Sequence, residues 1–297
     1  MQSIGRQVIS AWNTVLVDYD FNRVSVTALI PAFAREFTDI PWAKEMCACL
    51  LARGAKLDEG PWNENAVQRY AAFFESRFKA VNRILEEFGS AQVLELAAGL
   101  SPRGMDFARR GIVYVEADLP ESTARKREIV ISVLGSVPAN LHLCAASVVA
   151  RKELLACCDA FSEGPVGIAT EGLLRYLTFP EKEQLAANVH EILARFGGIW
   201  VTTDIHLRQW AQARRPRART SETERLGRDL DPNYFDDLDH ARAFFEGCGF
   251  EVESRPLLEG IHDSVISLPN ATEELLVELN DRRTFTLRVK PRSHRLR

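Results

Sequence analysis

The stretch Gln92-Val93-Leu94-Glu95-Leu96-Ala97-Ala98-Gly99-Leu100-Ser101-Pro102-Arg103-Gly104 decides how this chain folds. A short apolar run enters a turn of small residues, and the turn enters a helix start. Ala97-Ala98-Gly99 keeps side chains clear, so the backbone can approach a ligand closely. Ser101-Pro102 suits a helix entry: a serine hydroxyl can cap free N–H groups, and proline fits the first helical position. Nineteen positions after Gly99, Asp118 ends a second apolar run, Val113-Tyr114-Val115-Glu116-Ala117-Asp118. Strand, tight turn, helix, strand, acid is the layout with which an α/β sheet holds a nucleoside.

The same rhythm continues outward. Strand-length apolar runs at 92–96, 112–117, 141–146, 166–170 and 199–205 alternate with helical stretches at 103–110, 120–134, 148–160, 180–195 and 206–213. This alternation implies βαβ units and a parallel sheet, with right-handed crossovers placing helices on both faces. The rhythm then breaks. Residues 208–235 are polar and Arg-rich, followed by a helix at 237–247, a strand at 250–257, a loop and a final strand at 284–289. The closing pair of strands predicts an antiparallel C-terminal edge. Upstream, residues 1–62 read as mostly helical, punctuated by Pro31, Pro41 and Pro61. A long amphipathic helix is expected at about 64–88, with Val67, Tyr70, Phe74, Phe78, Val81, Leu85 and Phe88 recurring at three or four and Gly89 as its stop. The expected organisation is a helical cap over 1–90 that contributes to the ligand site. A Rossmann-like domain over 91–297 follows, with a lid-like insertion at about 206–236.

Bulk composition narrows the function classes. The chain has 297 residues, 37 Lys+Arg and 41 Asp+Glu, for a net charge of −4, which argues against a general nucleic-acid role. No apolar run reaches the roughly 18 residues that cross a bilayer, and the N-terminus carries no apolar signal stretch, so a cytoplasmic protein is expected. The cysteines at 47, 49, 144, 157, 158 and 248 include no Cys-x-x-Cys, which favours free thiols and no zinc site.

Three residues outside the opening run carry the chemistry. Asp118 can grip both ribose hydroxyls, or it is a solvated acid capping the helix that starts at Pro120. Arg77 falls between Phe74 and Val81 on the apolar stripe of the 64–88 helix, whereas Lys79 and Arg83 fall on the outer face. A guanidinium so placed needs an anion. It clamps a ligand carboxylate, or it pairs with a core acid such as Glu95. Glu171 closes the fourth strand and, with Tyr176, should reach the crevice at the carboxyl ends of the strands. There Glu171 could take a ligand ammonium or orient an acceptor, while Tyr176 could equally pack in the core. The turn has no Gly-x-Gly-x-x-Gly. Ala97 and Arg103 stand where glycines would help a pyrophosphate approach, which weighs against a nicotinamide dinucleotide. S-adenosyl-L-methionine has no phosphate and tolerates such a turn.

Val93–Arg103, Glu116-Ala117-Asp118-Leu119-Pro120 with Lys126, and Glu171-Gly172-Leu173-Leu174-Arg175-Tyr176-Leu177 together resemble the leucine carboxyl methyltransferase family. Within it, the likeness is to the bacterial O-methyltransferases of polyketide type. It spans most of the chain: Ser25–Leu29 and Pro41-Trp42-Ala43 are similar to the family's N-terminal helical region. The resemblance implies a class I methyltransferase fold and S-adenosyl-L-methionine as cofactor, with Arg77 on its carboxylate, Gly99 beneath it, Asp118 on its ribose and Glu171 near its methionine end. The implied cofactor-binding set is Arg77, Glu95, Ala97, Gly99, Asp118, Leu119, Ser147 and Glu171. Two positions depart from the family pattern. Ala97 stands for the first glycine of a Gly-Ala-Gly turn, and Ser147 aligns with an acid near the adenine.

Methyl transfer from a sulfonium is an in-line displacement, so positioning supplies much of its rate. A carboxylate acceptor needs no base, and a hydroxyl acceptor gains from one. Glu171, Tyr176, His206 and His142 are the candidates, and no catalytic residue is assigned. Arg208, Arg214, Arg215, Arg217, Arg219 and Arg225 could screen an anionic small-molecule acceptor or be a solvated charge run. Two rival readings remain open at this level: an NAD(P)-dependent oxidoreductase, and a non-catalytic binding protein built on the same fold.

Overall fold

The structure is a computed structural model and describes residues 23–55, 64–208 and 231–291. Three helices come first: α1 (Arg23–Ala34), α2 (Ala43–Ala52) and the long α3 (Glu64–Phe88). The alternating part follows as β1 (Gln92–Leu96), α4 (Arg103–Arg109), β2 (Val113–Asp118), α5 (Pro120–Leu134), β3 (Leu141–Ala145), α6 (Arg151–Cys157), β4 (Val166–Thr170), α7 (Phe179–Phe196) and β5 (Gly198–Thr202). The chain closes with α8 (Leu238–Gly247), β6 (Phe250–Pro256), α9 (Glu273–Asp281) and β7 (Arg283–Val289).

The strands form one seven-stranded sheet in the order β3-β2-β1-β4-β5-β7-β6. The first five are mutually parallel. Strand β7 runs antiparallel to both neighbours, lying between β5 and the edge strand β6. This is the class I methyltransferase sheet, mostly parallel with an antiparallel C-terminal end.

Alternation along each strand sends adjacent residues to opposite faces. Leu94, Val115, Ile168 and Trp200 pack against Leu154, Leu185, Val189 and Phe245 of α6, α7 and α8. Their sequence neighbours Val93, Tyr114, Ala169 and Ile199 pack against Phe33, Met46, Val81, Leu85, Met105 and Ile129 from α1 to α5. Each such aliphatic side chain contributes about 1.5–3 kcal/mol on full burial. The N-terminal helices therefore share a hydrophobic core with the sheet.

Local signals set the helix ends. Gly89 stops α3 with φ +71°, and its N–H donates to the Leu85 carbonyl at 3.1 Å. Helix α7 opens on a reciprocal box between Thr178 and Glu181. The expected loop between β6 and β7 instead contains α9. Thr272 caps it by accepting from the Leu275 N–H at 3.3 Å, and Leu275 and Leu279, one turn apart, bury its inner face. The expected helix at 206–213 starts later than 206: Leu207 bridges Phe235 in parallel, Arg208 is the first helical residue, and residues 209–213 lie outside the described residues. Most of the lid-like insertion, with Arg214, Arg215, Arg217, Arg219 and Arg225, lies outside them too.

Ala97 is the one residue of the Ala97–Gly99 turn that pays a conformational cost. Its φ is +53°, a left-handed conformation that crowds a Cβ, while Gly99 at φ +50° carries none. Ala97→Gly should raise stability by about 0.5–1 kcal/mol, the relief of strain exceeding the added chain entropy. The check is a denaturant midpoint that rises at constant slope; an unchanged or lower midpoint would show that Ala97 is not strained.

Candidate functional site

Parallel strands deliver their carboxyl ends to one edge, and the order reverses between β1 and β4. The crevice at such a reversal is where an open α/β sheet binds ligands. The turn Ala97–Gly99 after β1, Asp118 at the end of β2, Ser147 after β3, Glu171 after β4 and Thr203–His206 after β5 all arrive there. His142 does not: it is the second residue of β3, toward the opposite edge.

Asp118 braces the turn. Its Oδ2 accepts the Gly99 N–H and its Oδ1 accepts the Leu119 N–H, both at 2.7 Å. Burial raises its pKa, and these two N–H donors partly offset the rise. A small cleft beside it is lined by Ala98, Gly99, Asp118, Thr123 and Leu143, with Glu116 and Lys126 at its base. Lys126 Nζ lies 2.8 Å from Glu116 and also donates to the Ser101 carbonyl. Burial lifts the Glu116 carboxyl to about 7 despite that lysine. A Cβ on Gly104 would press on the Glu116 carboxylate and the Leu141 side chain, so glycine at this position leaves Glu116 its place. Ser147 is half-buried, and its N–H donates to Glu153 at 2.9 Å. Leu119 is largely exposed.

Behind the crevice lies a buried charge network. Arg103, fully buried at the start of α4, donates to Glu95 on β1 and to Glu171 at 2.8 Å. Its Nε donates to Asn82 of α3 at 2.6 Å, and its guanidinium stands 4.5 Å from the Phe78 ring. Glu95 also accepts from Tyr114 Oη of β2 at 2.9 Å. The second oxygen of Glu171 accepts from Arg35 at 2.9 Å. Both carboxylate oxygens of Glu171 are thus engaged by guanidiniums. Burial alone would raise its pKa, but Arg35, then Arg103 and Arg77, outweigh burial and pull it to about 2.

Arg77 reaches a different acid from the one the sequence suggested. Its Nε donates to Thr203 Oγ1 at 3.1 Å, and its Nη2 lies 3.5 Å from Asp204 Oδ1, while Glu95 belongs to Arg103. That 3.5 Å contact is an ion pair without a hydrogen bond. Arg77 Nη2 and Arg35 Nε are both buried N–H donors without an acceptor among the described residues. Burial depresses the Arg35 pKa, Glu171 partly offsets this, and Arg103 and Arg77 add to the depression. An additional anion beside Arg35 and Arg77 would therefore be favoured.

Asp204 also fixes the turn after β4, accepting the N–H groups of Leu173 and Leu174. His206 Nδ1 lies 3.0 Å from the Asp204 carbonyl oxygen, which can only accept, so Nδ1 carries the proton and Nε2 is left as an acceptor. Burial, with Arg175, Arg282 and Arg77 adding to it, holds the His206 pKa well below 6.5, so the ring is neutral at pH 7. His206 stacks on Tyr234 at 5.8 Å, and Tyr176 lies beside Arg175, half-buried.

Arg35, Arg103 as a cation, Asp204 and Arg175 were not singled out from sequence. Arg35 had a readable signal, a charge inside the apolar run Ala32-Phe33-Ala34-Arg35. Asp204 had one too, an acid just past an apolar strand, as Asp118 and Glu171 are. Among the described residues no group of three or more His, Cys, Asp or Glu could hold a metal ion, and no helix is long and apolar enough to cross a membrane. The six cysteines are unpaired.

The network fixes an acid-stability signature. The folded Glu171 pKa lies below its ordinary 4.5, so its contribution is complete above about 4.5 and is lost as pH falls toward 2. Wild-type unfolding free energy should drop by about 3 kcal/mol across that window, and Glu171→Gln should lose the drop while being less stable by about 3–5 kcal/mol at pH 7. Chemical denaturation at several pH values checks this; a variant with the wild-type acid profile would show that Glu171 is not held ionised.

Among curated proteins no sequence matches this chain. Solved structures are similar in chain course. One is Haemonchus contortus phosphoethanolamine N-methyltransferase 2 with S-adenosyl-L-methionine, at 12% identity and TM-score 0.42, covering 80% of this chain and 62% of that one. A second structure of that protein is 60% covered, so this chain spans about three fifths of the length of both. The glycopeptide N-methyltransferase MtfA aligns at 16% identity and TM-score 0.47, covering 72% of this chain and 88% of that one. Magnesium protoporphyrin IX methyltransferase of Synechocystis aligns at 8% and 0.47, covering 86% and 98%. None of these likenesses bears on what this chain binds. The family model for leucine carboxyl methyltransferase, by contrast, matches residues 27–190, more than half of the sequence and the whole run from α1 into α7 that builds this edge of the sheet. This chain belongs to the leucine carboxyl methyltransferase family.

Proposed function

We propose that the chain is an S-adenosyl-L-methionine-dependent O-methyltransferase acting on a small-molecule carboxylate or hydroxyl. The observation that carries this reading is the pair of buried, acceptorless donors, Arg35 Nε and Arg77 Nη2, at the same sheet edge as a phosphate-unfriendly turn and Asp118. The pair suits the carboxylate of an amino-acid moiety, and Asp118 suits a ribose. Family membership agrees with the same cofactor.

In this reading S-adenosyl-L-methionine supplies an activated methyl group on its sulfonium. The chain's own residues position it. Arg77 and Arg35 take the carboxylate, Asp118 the ribose, and Ser147 offers a hydroxyl toward the adenine. Ala97 to Gly99 allow close backbone approach, Glu95 and Leu119 frame the turn, and Glu171 holds Arg35 and Arg103 in place. Each Glu171 oxygen keeps a second lone pair for an ammonium. A carboxylate acceptor is ionised at pH 7 and needs no base. For a hydroxyl acceptor, His206 Nε2 is the group free to receive a proton. A cytoplasmic location and an N-terminal cap that completes the site belong to this reading.

Titration calorimetry tests it. Adenosylhomocysteine should bind and NAD should not. Arg77→Ala and Asp118→Asn should each weaken adenosylhomocysteine about tenfold or more, the loss expected for a charged hydrogen-bonding group. Binding of NAD alone would favour an oxidoreductase. Wild-type affinity in Arg77→Ala would remove the carboxylate clamp. Strong nucleoside binding without methyl transfer to any acid or phenol of a cell extract would favour a binding protein.

A further inference from the structure

We propose that Arg175 recognises the anionic group of the acceptor, and that the acceptor is an aromatic carboxylate. The inference rests on the methyltransferase reading and names the substrate class for that site.

Arg175 lies in the short segment between β4 and α7, four residues past Glu171. Its backbone is held on both sides. The N–H groups of Leu173 and Leu174 donate to buried Asp204, and the Arg175 carbonyl accepts from Asn233 at 3.2 Å. Its guanidinium has no carboxylate partner among the described residues, unlike the buried guanidiniums around it. Arg35 and Arg103 share Glu171, and Arg77 faces Asp204. Among the described residues Arg175 donates to one neutral group, Tyr234 Oη, at 3.1 Å, and its Nε is buried without an acceptor. An unpaired buried donor on a permanent cation is costly, and a carboxylate in the guanidinium plane would satisfy it bidentately.

The surroundings specify more than charge. The Arg175 guanidinium lies 5.5 Å from the Tyr176 ring and 5.9 Å from the Tyr234 ring. His206 stacks on Tyr234 with an interplanar angle of 25°. Two tyrosine rings thus flank one cation, and the imidazole stacked on one of them is neutral. Flat faces of this kind favour a planar ligand body, and guanidinium stacked on rings keeps its in-plane donors for the ligand. The place is also right for an acceptor. His206 and Asp204 connect this cluster to Arg77, the residue assigned to the cofactor carboxylate.

The test uses the full chain saturated with adenosylhomocysteine and two probes of equal shape, benzoate and benzamide, titrated by ligand-observed NMR. Wild type should bind benzoate about tenfold tighter than benzamide. Arg175→Gln should abolish that preference while leaving benzamide and adenosylhomocysteine affinity within about twofold, and Arg175→Lys should restore part of it. Tyr234→Phe removes the tether but not the cation, and should keep the preference. The proposal is overturned if benzoate binds no better than benzamide, if neither binds, if Arg175→Gln keeps the preference, or if Tyr234→Phe loses it as fully as Arg175→Gln does. The comparison is repeated without nucleoside. Failure of adenosylhomocysteine to bind then counts against the methyltransferase reading, and the benzoate preference still judges Arg175 separately.

Discussion

The Arg103 ion pair with Glu95 and Glu171 is the constraint on which the site depends. Glu95 sits on β1 and Glu171 follows β4, so one guanidinium spans the point where strand order reverses. Through Asn82 it reaches α3, through Tyr114 it reaches β2, and through Glu171 it reaches Arg35 just past α1. A crevice at a strand-order reversal would otherwise be a gap lined by apolar strand ends. Here it is backed by a charge-balanced floor. Buried ions are expensive, and such a network is favourable only when each member is paired. Arg103 meets that condition. Its pKa is raised because Glu95 and Glu171 outweigh the burial that would lower it.

The incomplete members of the network are the informative ones. Among the described residues, Arg35 and Arg77 each carry a buried donor with no acceptor, and Asp204 carries an oxygen with no donor. A structural core would have no reason to leave these groups unsatisfied. They lie at the edge of the sheet where the strand order reverses, and in the proposed function stability is given up where the ligand's charges are received. Arg175 repeats the pattern on the far side of Asp204, with tyrosines in place of a carboxylate. In the proposed function the site divides into a paired floor and two unpaired rims, one toward the cofactor and one toward the acceptor.

Much of the fold was legible because it is written in local periodicity. The switch at Gln92 from helical to alternating spacing, the stop at Gly89 and the turn at Ala97–Gly99 each act within a few residues. The helix α9 was missed although Thr272 and the Leu275–Leu279 pair mark it, since its short apolar face is hard to tell from a loop. Within the site, Asp118 was readable from its spacing to Gly99, which is the spacing of an actual hydrogen bond. Arg77 was readable as a charge on an apolar stripe, but its partner was not. Ion-pair partners such as Arg35 and Glu171 are 136 residues apart, and no local pattern encodes such a contact. Arg103 shows the same limit: from sequence it was a missing glycine, whereas in the structure it is the central cation.

The most direct measurement is a crystal structure of the chain with adenosylhomocysteine. The account predicts the amino-acid carboxylate within hydrogen-bond distance of Arg77 and Arg35, the ribose hydroxyls on Asp118, and Arg103 still holding Glu95 and Glu171. A nucleoside bound elsewhere, or bound there with Arg77 Nη2 and Arg35 Nε still lacking acceptors, would contradict it.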